Sequence, residues 1–149
     1  MQTHIQKAMA EIFASMVMME IDVSEIDLDL DAPLKESLTA IIGFSGTTKG
    51  LVALHMPKSV ALAITSSFLM MEVNDINEDV KDAIGELTNM ISGEVKNKLI
   101  SNGWTVDLSI PTTISGDSYD FRCGSDTERL LTSFKIGAGI FTVDLQLQG

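Results

Sequence analysis

Four residues of one segment could do chemistry together: Asp82, Glu86, Asn89 and Gly93. They fall at i, i+4, i+7 and i+11, which at 100° per residue draws one straight stripe along a helix. Ile84, Leu87, Ile91 and Val95 fall on the opposite side, so the apolar face packs inward and the polar stripe points outward, available to a partner. Any amphipathic helix has a polar face, and a Glu followed three residues later by an Asn is common. Two oddities set this stripe apart. Gly93 sits in mid-helix, where it costs about 1 kcal/mol relative to Ala, and a missing side chain beside Asn89 lets another backbone approach closely. Asn89 is itself a mediocre helix former. The stripe offers two carboxylates, which only accept hydrogen bonds when ionised, and one neutral carboxamide that both donates and accepts.

Other candidates for chemistry carry less. Cys123 is the only cysteine, which excludes an internal disulfide and a CxxC metal site, and no His neighbours it in sequence to activate it as a nucleophile. His4 and His55 are far apart and share no motif. Asp27, Asp29 and Asp31 alternate with Ile26, Leu28 and Leu30 and imitate a calcium loop. The imitation fails where position six would be Ala32 rather than Gly, and position twelve Leu38 rather than Glu; a solvated loop or edge strand fits better. The methionines of the first two helices read as core rather than as a binding surface.

The elements that must position the stripe follow from periodicity. Ile5, Met9, Ile12, Phe13, Met16 and Met19 recur at helical spacing and predict a first helix over Thr3–Met19. Leu38–Phe44 and Leu51–Met56 predict two strands joined by the turn-rich Ser45–Gly50, and Pro57 ends the second. Lys58–Met71, apolar nearly all round, predicts a second helix buried on more than one side. Asn77, followed by Glu78 and Asp79, predicts the N-cap of the third helix, which runs to Ser101 and stops at Asn102-Gly103. The remainder is extended: Thr105–Leu108, Pro111–Ile114, and a hairpin of Leu130–Ile136 with Ile140–Leu147 around Gly137-Ala138-Gly139. In its last strand Phe141, Val143, Leu145 and Leu147 alternate with Thr142, Asp144 and Gln146, which predicts one buried face. The fold class is α+β, an antiparallel sheet packed against long helices.

Composition bounds the rest. At 149 residues and 45% hydrophobic, residues 1–149 fit one domain with a real core and no need of disulfides or metals. The net charge of −11 repels a phosphate backbone and argues against a nucleic-acid partner. Ala8–Ile21 is mostly apolar, but Glu11 and Glu20 interrupt it; it is too short to cross a bilayer, and no basic segment leads into a cleavage site. One unpaired cysteine suits a reducing cytoplasm.

The run Asp82-Ala83-Ile84-Gly85-Glu86-Leu87-Thr88-Asn89-Met90 resembles the Asp/Ser-x-x-x-Glu-x-x-Asn signature of the CheC, CheX and FliY phosphatases. The stretch Gly93–Leu99, then Gly103, Val106-Asp107 and Pro111-Thr112-Thr113-Ile114-Ser115-Gly116, and the earlier Ile41–Gly46, are similar to the CheX branch. CheC-like chains carry two signature helices. Here the first helix offers Lys7, Glu11 and Ala14 at the three positions, so one signature stands alone, as in CheX. The resemblance implies a CheC-like fold, a sheet continued across a homodimer, and hydrolysis of the aspartyl phosphate of a CheY-like response regulator. It implies that Asn89 orients the attacking water, that Glu86 pairs with the regulator's active-site lysine, and that Asp82 extends the docking contact. It implies no cofactor of the chain's own and Mg2+ on the regulator. Two alternatives stay open: a non-catalytic module that binds a phosphorylated regulator, and a structural relative of the flagellar switch proteins.

Overall fold

A computed structural model describes residues 1–148. The first helix, α1 (Gln2–Ile12), passes into a π turn over Phe13–Val17, closed by Met18 in the left-handed region at φ 61°. There the Met18 N–H donates to the Phe13 carbonyl at 2.7 Å. The apolar period that predicts helix to Met19 therefore outlasts the α-helix by a turn. A short strand β1 (Asp22–Ser24) follows, then a loop, the long strand β2 (Leu34–Gly46) and β3 (Gly50–Pro57). Helix α2 (Lys58–Leu69) and helix α3 (Glu78–Ser101) come next, then β4 (Val106–Leu108), β5 (Thr112–Tyr119), β6 (Thr127–Ile136) and β7 (Gly139–Gln148). Among the described residues no helix is long and apolar enough to cross a membrane.

All strands join one antiparallel sheet in the order β1-β6-β7-β3-β2-β4, with β5 also paired to β2. Strand β2 is long enough to carry two partners on its outer edge: β4 along Phe44–Gly46 and β5 along Leu34–Ile41. The apolar residues of the period-2 alternation face the helices. Leu38 and Ala40 of β2, Val52 and Leu54 of β3, and Phe141 and Val143 of β7 are fully buried there. Phe141 stacks between Phe13 and Phe134, with centroids 5.7 and 5.4 Å apart.

The alternation in β7 predicts one buried face, and the structure buries both: Thr142, Asp144 and Gln146 are as enclosed as their apolar neighbours. The acidic loop after β1 folds across this back face, where the Leu28 N–H donates to Thr142 Oγ1 at 3.0 Å and Ser133 Oγ donates to Asp27. The β5–β6 connection covers the rest, with Phe121 edge-on to His55 at 4.6 Å. Polar groups can be buried here because they satisfy one another. His55 Nε2 donates to Asp144 Oδ2 at 2.9 Å, its Nδ1 lies 2.9 Å from Thr39 Oγ1, and Tyr119 OH lies 2.8 Å from the same hydroxyl. Arg129 forks onto Asp144 with bonds of 2.9 and 2.7 Å, and Gln146 adds a third donor.

In the C-terminal hairpin β7 lies between β6 and β3, whereas β6 is paired on its outer side only along Ser133–Lys135, by β1. Two long stretches of edge are unpaired among the described residues: the outer side of β5 and β6 before Ser133. The methionines also divide differently from the expectation. Met9 is core, whereas Met16, Met18, Met70 and Met71 are exposed, because α1 and α2 end before the apolar pattern does.

Burial pushes the Asp144 carboxyl up, but the hydrogen bonds and charges of Arg129 and His55 outweigh it and hold the group below the usual carboxylate range. A depressed folded-state pKa adds stability above the unfolded value, about 3.9, that is lost as pH falls through the folded value. Asp144→Ala leaves a half-buried guanidinium and a buried imidazole without their carboxylate, so at pH 7 it is expected to cost about 3 kcal/mol. Urea unfolding of both proteins is expected to show that gap narrowing below about pH 4; a gap independent of pH would mean that the charge contributes nothing.

Candidate functional site

Helix α3 starts as its sequence dictates. Asn77 Oδ1 accepts from the Val80 N–H at 3.0 Å, and Glu78 and Asp79 complement the first turn. It ends where Gly103 takes φ 87° and donates its N–H to the Ile100 carbonyl at 2.9 Å. At 1.5 Å per residue its 24 residues span about 36 Å. Val80, Ile84, Leu87, Ile91, Val95 and Leu99 form a continuous buried ridge against the sheet.

Both flanks of α3 are also occupied. On one side α1 and α2 pack along it, and His4 Nε2 donates to the Glu94 carbonyl at 2.9 Å. On the other side, half a turn of the wheel away, a Cβ built at Gly85 would lie 3.4 Å from Pro111, so the β4–β5 connection rests directly on the helix backbone. Three sides being taken, the fourth is the free one, and it carries the stripe. Asp82, Glu86 and Asn89 are exposed and Gly93 is partly exposed. A Cβ added at Gly93 would meet nothing within 4 Å, so nothing within the chain requires a glycine there.

The electrostatics of the stripe are as open as its surface. Lys81, on the same helix, reaches Glu78 at 3.7 Å; elsewhere Lys58 pairs with Asp75 at 2.8 Å. The Asp75 hydrogen bond and charge raise the Lys58 pKa, and the Lys58 bond lowers that of Asp75. Asp82 and Glu86 are left facing water.

Of the other candidates, His4 serves as a helix-to-helix contact and His55 as the centre of the buried network. Cys123 is half-buried in the β5–β6 connection. Sequence reasoning missed two features. One is the ionic network, whose signal was Asp144 set between Val143 and Leu145. The other is the seat of Pro111 on α3, whose signal was Gly85, a second glycine inside the helix.

The outer face of α3 thus carries two carboxylates and a carboxamide, all exposed, above a helix-covered antiparallel sheet. The family described as chemotaxis phosphatase CheX matches residues 38–135, and the chain belongs to that family. The CheY-P phosphatase CheX of Thermotoga maritima is 36% identical over 84 residues, 56% of this chain and 54% of that one, so the match spans about half the length of each. A crystal structure of the chemotaxis protein CheX from Desulfovibrio desulfuricans superposes with a TM-score of 0.79 at 26% identity, covering 98% of this chain and 97% of the other. The CheX of Borrelia burgdorferi, solved as a complex with CheY, BeF3 and Mg2+, has the same fold: TM-score 0.79 at 19% identity, over 99% of this chain and 97% of that one.

Because Gly93 has free space and ordinary helical surroundings, Gly93→Ala is expected to stabilise the fold by about 0.5–1 kcal/mol. Thermal melts of the two proteins check this; a fall in Tm would mean that the glycine serves packing after all.

Proposed function

We propose that this chain removes the phosphoryl group from the aspartyl phosphate of a CheY-like response regulator, in the cytoplasm. The observation that carries the proposal is the line of Asp82, Glu86 and Asn89, exposed and without intrachain partners, on the one free face of α3. Membership of the CheX family and the Borrelia relative's complex with CheY support it.

The reaction needs a water oxygen in line with the phosphorus and opposite the aspartyl oxygen that leaves. As the new P–O bond forms, the old one breaks, the regulator's carboxylate departs with the electron pair, and the water proton passes to phosphate or solvent. Asn89 is suited to hold that water, since its carboxamide can accept from and donate to it without repelling an anion. Glu86 would take the regulator's active-site lysine and set the register of the two proteins. Asp82, one turn earlier, would lengthen the contact, and Gly93 would let the regulator's backbone come close. Mg2+ in this scheme belongs to the regulator.

The test separates chemistry from docking. Asn89→Ala is expected to lower kcat roughly a hundredfold and to spare affinity for the phosphorylated regulator. Glu86→Lys is expected to raise KM, more so at low salt, and more than Glu86→Gln does, since it sets two cations face to face. Near-normal turnover by Asn89→Ala would sink the mechanism. Binding by the unaltered protein that leaves regulator decay unchanged would make it a binding module instead.

We also infer a homodimer joined through its sheet. The outer edge of β5 presents unpaired backbone groups along Thr112–Tyr119, and such an edge is a template for pairing with a second copy. Light scattering is expected to give twice the 16.1 kDa chain mass; a single monomeric species at micromolar concentration would refute it.

A further inference from the structure

The β4–β5 connection holds a large apolar side chain out in solvent, next in the chain to the proline that rests on α3. Ile110 is 83% exposed, and among the large apolar residues only Met70 is more so. Its neighbours on both sides are fixed. Ser109 is bound to β2 twice: its N–H donates to the Gly43 carbonyl at 2.8 Å, and its Oγ accepts from the Gly43 N–H at 2.9 Å. Pro111 rests on α3 at Gly85, between Asp82 and Glu86 in the chain. Ile110 is therefore carried on a frame clamped to the sheet at one end and to the site helix at the other.

So exposed a side chain contributes almost nothing to the folding of its own chain. Its β-branched side chain is also stiff at χ1, so little rotamer freedom remains to be lost on docking. An apolar residue held rigid at the margin of a polar patch is how interfaces place an anchor, with the charged groups around it setting register. Ile114, the other exposed isoleucine of this region, does not share the position. It is in register with Thr39, whose side chain joins the buried network, so it faces the opposite side of the sheet.

We propose that Ile110 is a specificity-determining anchor for the response regulator, entering an apolar depression on the receiver domain beside the active site that Glu86 and Asn89 address. The proposal rests on the phosphatase reading above. It extends the docking surface from the helix stripe to the β4–β5 connection and gives it an apolar component that the stripe lacks. The partner it fits is a receiver domain with a cation and an exposed apolar patch within one helix width of each other.

The test is steady-state dephosphorylation of the cognate CheY-like regulator, with affinity for that regulator loaded with beryllofluoride and Mg2+ measured alongside. Ile110→Ala is expected to raise KM and weaken binding about tenfold, a shift typical of losing most of a buried isoleucine. It should leave kcat at saturating regulator within about twofold, because the residue does not touch the reacting atoms. The loss should be the same at low and moderate salt, unlike that of Glu86→Gln. Ile26→Ala removes an exposed isoleucine from the loop across the sheet's back face and should change neither quantity. An unchanged KM and affinity for Ile110→Ala would overturn the anchor, as would a fall in Tm that accounts for the loss. Wild-type turnover by Asn89→Ala, with Ile110→Ala still weakening beryllofluoride-regulator binding, would leave the anchor standing and remove the catalytic reading.

Discussion

Everything the site can do depends on the rotation of α3 about its own axis. The buried ridge from Val80 to Leu99 settles that rotation. Fully burying one such side chain is worth about 1.5–3 kcal/mol, and turning the helix by one residue, 100°, would lift several of them from the sheet at once. The flanks reinforce the choice. His4 meets Glu94 on one side and Pro111 meets Gly85 on the other, so the helix is wedged as well as seated. A stripe of polar residues becomes a directed surface only because the opposite face has no other place to go.

The sheet beneath must be stiff for that seating to hold, and its back face supplies a second constraint. Asp144 accepts from His55, Arg129 and Gln146, which ties β7 to β3 and β6 across three strands. Thr39 and Tyr119 carry the chain of bonds on to β2 and the end of β5. A buried ionic cluster is a poor source of net stability compared with apolar packing, but it penalises any register in which a partner is missing. Strand β2 is where the two constraints meet. Its inner face packs the α3 ridge, its outer edge carries β5, and Gly43 within it holds Ser109 and so the β4–β5 connection.

The sequence makes the site helix legible because every local signal agrees there: the Asn77 cap, the acidic first turn, the apolar ridge and the Gly103 stop. The stripe itself is legible for the same reason, since helical spacing fixes angle without any knowledge of the rest of the chain. What escaped depends on contacts between distant segments. Period-2 alternation in β7 marks Asp144 as turned away from the core, yet cannot tell that loops from before β2 and after β5 will cover it. The first helix is overread because Phe13, Met16 and Met19 keep the apolar period while the backbone slips into a π turn. Strand β2 begins at Leu34, earlier than its apolar run, and its start is hidden in the sequence because Lys35 and Glu36 look like loop residues, Glu36 indeed taking φ 41°. Its extension makes sense only once β5 is there to pair with it.

The geometry of the stripe also constrains how a phosphatase built this way can work. Glu86 and Asn89 are separated by three residues, about 4.5 Å along the axis, and side chains at that spacing are neighbours. A bare carboxylate so close to a phosphoryl anion repels the group that Asn89 must address, and in a desolvated interface that repulsion grows. The two can serve one reaction only if a cation from the partner lies against Glu86 when the anion lies against Asn89. In the proposed reaction the acidic residue would then admit the regulator only when its lysine is correctly placed, and the neutral amide would act at phosphorus. With a net charge of −11, the chain offers no general attraction to a phosphorylated partner, so the proposed recognition would have to come from local matching of this kind. On the proposed reading a convex helix face would suffice, because the regulator would bring the acyl phosphate, the metal and the lysine, and this chain would add one amide.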